Sequence, residues 1–196
     1  MNKIITCLSG PSLSGKSTIT NILLKNHDIV LPQHTTTRDP RSNDIAGFYH
    51  YISMEEFIKR LNNNEFIVGS TDGIRGYGVL RSDCDKAFIN TDTLLLHVSY
   101  KDIDQLQKIN IPTKLVVLTY KNLEYSMRKR FLEENKSRTD IDYRISSAQD
   151  DYEKYFNKIK EFATNIVYTD LLNIDDTYKI VSESFGFKPF VRKRVK

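Results

Sequence analysis

Hydrophobic residues along the chain fall into short continuous runs that alternate with segments of helical spacing. One run, Lys3–Ser9, is rich in β-branched side chains and predicts a short buried strand. Two more, Thr93–Ser99 and Thr113–Thr119, are continuous apolar runs, as is typical of central parallel strands covered on both faces. Helices follow each run, and a last strand and helix close the pattern; these segments are 16–26, 102–110, 123–134, 140–159, 165–168 and 175–184. This alternation predicts an α/β three-layer domain with a mainly parallel sheet.

A polar insertion interrupts the alternation at about residues 32–80. Its first part, 32–50, is rich in proline and polar side chains, so we expect loops there. A strand, a helix capped by Ser53 and a hairpin are predicted after it, at 49–53, 54–62 and 65–79. We therefore expect one domain whose core is formed by 1–31 and 81–186, with the insertion set into it.

The composition narrows the class of protein. The chain has 196 residues, of which 28% are charged and 11% aromatic, and both values are ordinary for one globular domain. Two cysteines are too few for a disulfide scaffold or a cysteine-built zinc site. No apolar run approaches the roughly 20 residues of a membrane helix. We expect a cytoplasmic protein without a membrane partner.

The net charge of +4 comes from the C-terminal end. Residues 187–196 hold five basic and no acidic side chains, whereas the first 186 residues carry 24 basic and 25 acidic ones. A basic end could touch nucleic acid or a polyphosphate, but only Phe187 and Phe190 offer rings for stacking on bases there. We expect a solvated tail rather than a nucleic-acid partner.

The segment Gly10-Pro-Ser-Leu-Ser-Gly15-Lys16-Ser17 matches the phosphate-loop pattern G-x-x-x-x-G-K-[ST] in full. A predicted strand precedes it and a predicted helix begins at Lys16, so backbone N–H groups of the turn can hold phosphate oxygens. Lys16 is expected to reach the β- and γ-phosphates, and the Ser17 hydroxyl to join the Mg²⁺ shell. We therefore expect ATP and Mg²⁺, bound by Gly10, Pro11, Ser12, Ser14, Gly15, Lys16, Ser17 and Thr18.

A second phosphate site is indicated about 20 residues after the loop. Arg38 and Arg41 stand three residues apart in Thr35-Thr36-Thr37-Arg38-Asp39-Pro40-Arg41. Two guanidinium groups so spaced on an irregular segment can clamp a phosphate. The sequence therefore predicts an acceptor that carries a phosphate of its own.

These motifs together resemble the guanylate kinase family of nucleoside monophosphate kinases. The phosphate loop and the two-arginine segment are followed, in the family's order and spacing, by Gly47–Tyr51, Glu55-Glu56-Phe57, Asn63–Ile67 and Tyr77-Gly78. The resemblance implies a P-loop fold with a nucleotide-binding insertion and a short helical lid. It also implies transfer of the γ-phosphoryl group of ATP to a nucleoside monophosphate whose phosphate is held by Arg38, Arg41, Tyr49 and Tyr77.

The positions at which the family reads guanine differ in this chain. By resemblance they are occupied by His34 or Thr35, by Val68, by Val79, and by His97 or Ser99. Guanine N1–H and N2–H₂ are donors, and a buried donor without an acceptor costs about 1–3 kcal/mol, which a valine cannot offset. We therefore expect a changed base pocket and a pyrimidine deoxynucleotide such as dTMP as acceptor, with GMP or dGMP as the alternative.

The C-terminal third resembles the family's lid and adenine-side loop. Within Leu123–Ser147 the resemblance implies phosphate roles for Arg130 and Arg144, and Arg138 is the candidate to replace the arginines of the family's R-G-R-G-T, in a lid at about 131–145. Tyr168-Thr169-Asp170 resembles the loop beside adenine. Because no acidic residue ends the third strand, Mg²⁺ is expected to be held by phosphates, waters and Ser17.

Two classes of function compete. The first is an active kinase, monomer or homodimer, in which Lys16, Arg38, Arg130 and Arg144 neutralise and aim the phosphates while the insertion and lid close to exclude water. The second is a catalytically inactive guanylate-kinase-like module that binds other proteins. Such modules usually have a degraded phosphate loop, whereas Lys16 and Ser17 are intact here. The pattern therefore favours the enzyme.

Overall fold

The chain folds as an alternation of strands and helices in the computed structural model, which describes residues 3–40, 44, 47–133 and 138–188, with backbone alone for 138–140. In chain order the elements are β1 (Ile4–Ser9), α1 (Lys16–Asn26), β2 (His34–Thr36), β3 (Tyr49–Tyr51), α2 (Met54–Asn62), β4 (Phe66–Thr71), β5 (Gly76–Leu80), α3 (Arg81–Ala87), β6 (Thr93–His97), a 3₁₀ turn (Tyr100–Asp102), α4 (Ile103–Leu106), β7 (Thr113–Thr119), α5 (Leu123–Glu133), α6 (Arg138–Phe162), β8 (Asn165–Tyr168) and α7 (Ile174–Phe185).

Two four-stranded sheets organise these elements. The first has the strand order β6-β1-β7-β8, and the apolar runs of β6 and β7 are almost wholly buried, as expected of strands covered on both faces. β7 and β8 pair in parallel, with Val117 opposite Ile166. The predicted α/β fold with a mainly parallel sheet is confirmed.

The second sheet lies within the predicted insertion and has the order β3-β2-β5-β4. β2 pairs in parallel with β3 and antiparallel with β5, and β5 pairs antiparallel with β4. One face of this sheet packs on α2 through Phe57, Phe66 and Leu80. The short strand β2 was expected to be loop; its three residues are held by partners on both sides rather than by their own propensity.

The chain divides into two compact units, Met1–Cys7 with Asp28–Thr113 and Leu8–His27 with Lys114–Lys196. The first contains the second sheet, and the second contains the phosphate-loop segment with α5, α6 and α7. Each is described by itself below. Among the described residues, no helix combines the length and apolar character needed to cross a membrane.

Candidate functional site

The phosphate-loop segment forms a tight turn between β1 and α1. Gly10 has φ 139°, and a Cβ there would collide with the backbone carbonyl of Leu118, so only glycine fits. Gly15 has φ 94° and is the N-cap of α1. The turn therefore has the backbone that its sequence pattern requires, with the N-terminus of α1 directly behind it.

Lys16 is folded back onto the loop. Its Nζ donates to the carbonyl oxygens of Gly10 and Pro11, both at 2.7 Å, and lies 3.5 Å from Ser14 Oγ. Burial lowers the pKa of Lys16 to about 8. Neutral carbonyls are weaker partners for an ammonium group than phosphate oxygens are. The Lys16 ammonium is thus positioned to exchange these bonds for bonds to an anion in the loop.

The hydroxyls of Ser17 and Thr18 lie on the exposed first turn of α1. Ser17 offers a hard oxygen ligand beside Lys16, the kind of donor that Mg²⁺ takes in addition to phosphates and water. Among the described residues, no group of three or more His, Cys, Asp or Glu side chains could hold a metal. The chemistry of the Ser17 hydroxyl fits a Mg²⁺ ion that also takes phosphate and water oxygens as ligands.

Arg130 on α5 is tied to the phosphate loop. Its Nη1 donates to the carbonyl of Leu13 at 2.7 Å, and its guanidinium carbon lies 5.3 Å from the centre of the Tyr120 ring. Leu13 has a positive φ of 63° and packs against the apolar cluster where α5 meets α6. The loop and the arginine thus position each other, which is what a phosphate role for Arg130 requires.

The other predicted lid residues are placed differently. Arg144 on α6 has its guanidinium carbon 5.7 Å from the centre of the Phe131 ring on α5. Arg138 begins α6, but its side chain lies outside the described residues, as do residues 134–137 of the predicted lid. Arg130 is therefore the arginine of the three for which a bond to the loop is described.

The exposed side chain of Asp170 is hydrogen-bonded to the chain at the start of α5. Its carboxylate accepts from the N–H groups of Lys121 and Asn122 and from the Ser126 hydroxyl, at 2.9 to 3.2 Å. Burial raises the pKa of Asp170, but these hydrogen bonds outweigh it and lower that pKa below its usual value. The Asp170 side chain thus bonds to backbone N–H groups just before the first turn of α5.

The predicted acceptor residues share one face of the second sheet. Pairing places His34 opposite Tyr49, Thr36 opposite Tyr51 and Tyr77, Ser70 opposite Tyr77, and Val68 opposite Val79. Cross-strand partners point to the same side, and alternate residues along a strand do too. The face opposite α2 therefore carries His34, Tyr49, Val68, Tyr77 and Val79, together with Ser70; we call it the acceptor face.

Arg38 is held at this face by an acid that the sequence analysis did not identify. Its two terminal nitrogens reach both oxygens of Asp44, at 2.8 and 2.5 Å, and the Tyr51 hydroxyl donates to Asp44 at 2.6 Å. The guanidinium carbon also lies 4.6 Å from the centre of the Tyr49 ring. Donating these hydrogen bonds to the Asp44 carboxylate raises the pKa of Arg38. Arg38 is thus a fixed cation beside Tyr49; Arg41 lies outside the described residues.

His34 has no ring nitrogen left for a ligand. Its Nδ1 lies 2.9 Å from the Pro32 carbonyl, and its Nε2 accepts from the backbone N–H of His97 at 3.1 Å. The ring is therefore the neutral tautomer with the proton on Nδ1. Burial lowers the pKa of His34 to about 4. The His34 ring also packs on Phe48 and His97, so it holds the end of β6 against β2.

The remaining base positions are apolar or used in capping. Val68 and Val79 are buried, at 1% and 0% exposure, and offer no polar atom. Ser99 Oγ accepts from the Lys101 N–H, and the Ser99 N–H donates to Asp102. His97 is half-buried, with its ring 5.9 Å from that of Phe48. The side chains at the expected positions thus present little that a base edge could bond to.

Comparison with known proteins gives the family. The family model described as guanylate kinase matches residues 2–185. The chain belongs to the guanylate kinase family. Three similar relatives, each named guanylate kinase, come from Bartonella henselae (36% identical over 102 residues, 52% of this chain and 46% of the relative), Mesomycoplasma hyopneumoniae (41% over 85 residues, 42% and 43%) and Clostridium perfringens (32% over 97 residues, 48% and 45%).

These matches do not extend over whole proteins. The chain spans about half the length of the curated relatives it matches. The crystal structure of guanylate kinase from Anaplasma phagocytophilum superimposes with a TM-score of 0.69, covering 94% of this chain and 85% of that chain at 20% sequence identity. At that identity the likeness shows the guanylate kinase fold, and the reaction has to be argued from the site.

Proposed function

We propose that this member of the guanylate kinase family transfers the γ-phosphoryl group of ATP to a nucleoside monophosphate, and that the acceptor is GMP or dGMP. The observation that carries the proposal is the phosphate loop. Lys16 Nζ donates there to two loop carbonyls at 2.7 Å, and phosphate oxygens would be stronger acceptors for this ammonium group. The guanylate kinases among the relatives support GMP rather than dTMP as the acceptor. This replaces the expectation drawn from Val68 and Val79.

On the donor side, Lys16 would bind the β- and γ-phosphates, and the N–H groups at the start of α1 would hold the remaining oxygens. Arg130, fixed on Leu13, would add positive charge beside the transferring group, and Arg144 and Arg138 stay candidates for the same role. Mg²⁺ would be held by the phosphates and Ser17, and when bound it neutralises charge on the phosphate oxygens.

On the acceptor side, Arg38, Tyr49 and Tyr77 would hold the phosphate of the monophosphate, with Arg41 as a further predicted contact. Asp44 occupies two of the Arg38 donor atoms, so the phosphate would bind the remaining N–H groups or take the place of Asp44. The Arg38–Asp44 pair keeps a buried guanidinium satisfied until the phosphate arrives. Arg38 would then aim the nucleophilic oxygen at the γ-phosphorus.

In-line transfer requires the two sites to meet without water between them. We propose that the insertion at about 32–80 and the lid at about 131–145 close on the core for this purpose, in a cytoplasmic monomer or homodimer. Closure would keep ATP from being hydrolysed when no acceptor is bound.

The proposal is tested by ADP formation from ATP–Mg²⁺ with a panel of GMP, dGMP, dTMP, dCMP, UMP and AMP. We expect GMP or dGMP to be the preferred acceptor and Lys16→Met to abolish turnover. Preference for dTMP by tenfold or more would overturn the acceptor. If ATP raised the Tm but no monophosphate supported turnover, the protein would instead be the binding module.

A further inference from the structure

Asp102 is a buried acid that the proposed phosphate chemistry does not use. It ends the 3₁₀ turn that follows β6 and is 3% exposed. Its Oδ2 accepts the backbone N–H of Ser99 at 2.7 Å, and the Ser70 hydroxyl also bonds to the carboxylate. Its Oδ1 is buried and has no hydrogen-bond partner among the described residues. One acceptor atom of the carboxylate is therefore left unused.

The Asp102 carboxylate lies at the acceptor face. Ser70, its partner, is on that face opposite Tyr77, two residues after Val68 on β4. The next turn of chain is locked to the same strand, because the Gln105 side chain accepts from the Gly69 N–H at 2.9 Å and donates to the Gly69 carbonyl at 2.8 Å. The Asp102 carboxylate is thus held against β4, on the sheet face that carries Val68 and Val79.

We propose that Asp102 Oδ1 is the acceptor for the N–H edge of the guanine ring, a specificity role that rests on the proposed function. Guanine presents two neighbouring donors, and a buried carboxylate oxygen without a partner is the complementary group. Because Oδ1 is closed to solvent in the free protein, the base displaces the side chains that cover it. A pyrimidine with a carbonyl at this edge would face the carboxylate and be rejected.

Capping alone does not account for a carboxylate at this position. Serine or asparagine would accept the Ser99 N–H equally well, without a charge in a buried place. Burial raises the pKa of Asp102 to about 6, so the group is mostly ionised near pH 7 and both of its oxygens are able to accept hydrogen bonds. The positive charge of Lys101 stabilises the ionised carboxylate, but its effect on the pKa of Asp102 is smaller than that of burial.

The substitution Asp102→Asn replaces a hydrogen-bond acceptor at the Oδ1 position with a donor. The Ser99 N–H needs an acceptor at the Oδ2 position, so the amide oxygen is oriented there and the NH₂ group takes the Oδ1 position. The variant therefore offers a donor where the native protein offers an acceptor. We expect its affinity for GMP to fall at least tenfold, and its affinity for XMP, which has a carbonyl in place of the 2-amino group, to rise above that of the native protein.

The test measures Kd by calorimetry for GMP, IMP and XMP, with turnover recorded separately. Asp104→Asn is the matched control, because Asp104 is an exposed acid two residues later, and its Kd values should stay native. An equal loss for all three bases would show that Asp102 only caps the turn. Native protein that does not bind GMP would also overturn the inference. GMP binding that depends on Asp102 but without turnover would instead remove the kinase proposal alone.

A second variant covers the case in which Asp102→Asn does not fold. Ser70→Ala keeps the carboxylate and its bond to Ser99 but removes one of the groups that orient it. We expect the Kd for GMP to rise severalfold while the Kd for XMP is unchanged or falls. A change of the same size for both bases would contradict the assignment.

Discussion

The stability of the Asp102→Asn variant relative to the native protein should increase as the pH rises from 5 to 7.5. The pKa of Asp102 rises from 3.8 to about 6 on folding, chiefly because the carboxyl is buried. A raised pKa means that the native state holds its proton more tightly than the unfolded state does, so stability falls as pH rises from about 4 to beyond 6. Two pKa units at 1.36 kcal/mol each give about 3 kcal/mol. Asparagine has no charge to bury and escapes this pH-dependent cost, but its NH₂ group at the buried Oδ1 position lacks an acceptor, which costs about 1–3 kcal/mol at every pH.

Urea unfolding of both proteins at pH 7.5, 6.0 and 5.0, followed by far-UV circular dichroism, measures the difference. We expect the difference in free energy of unfolding, variant minus native protein, to be about 1.5 kcal/mol more favourable to the variant at pH 7.5 than at pH 5.0. Asp104→Asn should differ from the native protein by less than about 0.5 kcal/mol at each pH. A difference that does not change with pH, or one that moves in the native protein's favour as the pH rises, would refute the reasoning.

Three further predictions concern the loop, the acceptor arginine and the second sheet. Lys16→Met should remove the rise in Tm that ATP–Mg²⁺ causes, because the buried ammonium is the cation at the phosphates; an unchanged rise would contradict this. Arg38→Lys should raise the KM for the monophosphate at least tenfold with a smaller change in kcat, since lysine lacks the planar fork that now meets Asp44; an unchanged KM would exclude Arg38 from the phosphate site. Gly78→Ala should lower the free energy of unfolding by about 1–3 kcal/mol in a urea titration, because its Cβ would stand 2.7 Å from the Phe66 ring and 2.9 Å from the Val68 carbonyl; native stability would show that β5 can shift.

The features that sequence predicted correctly are those set by neighbours in the chain. The turn from Gly10 to Gly15 depends on glycines that accept positive φ, and α2 begins at Met54 with Ser53 accepting from the Glu56 N–H, as its capping pattern predicts. The last helix was predicted at 175–184 and runs over Ile174–Phe185. Local chemistry is sufficient in each case.

Other features depend on partners far along the chain and were not predicted. The helix expected at 102–110 is a 3₁₀ turn followed by one turn of α-helix, Ile103–Leu106, because Asp102 closes back on Ser99 and Gln105 bonds to Gly69 of β4. The bond from the His97 N–H to His34 joins residues 63 apart. The sequence does not indicate which nitrogen of the His34 ring accepts this bond, or that the Asp102 carboxylate is buried. Both depend on how whole strands pack.

Val68 and Val79 show why base specificity cannot be predicted from the aligned positions of a motif alone. A nucleobase needs an acceptor at a point in space, and nothing requires the side chain that supplies it to come from the same strand. When β4 carries valine, a carboxylate from the turn after β6 can serve if that turn is fixed to β4, as the Gly69–Gln105 pair fixes it here. The loss of an acid from a motif therefore predicts a new specificity only after the acids on every packed neighbour have been located. The role proposed for Asp102, whose buried Oδ1 has no partner among the described residues, would favour guanine, with two neighbouring N–H donors, over thymine, whose single N3–H lies between two carbonyls.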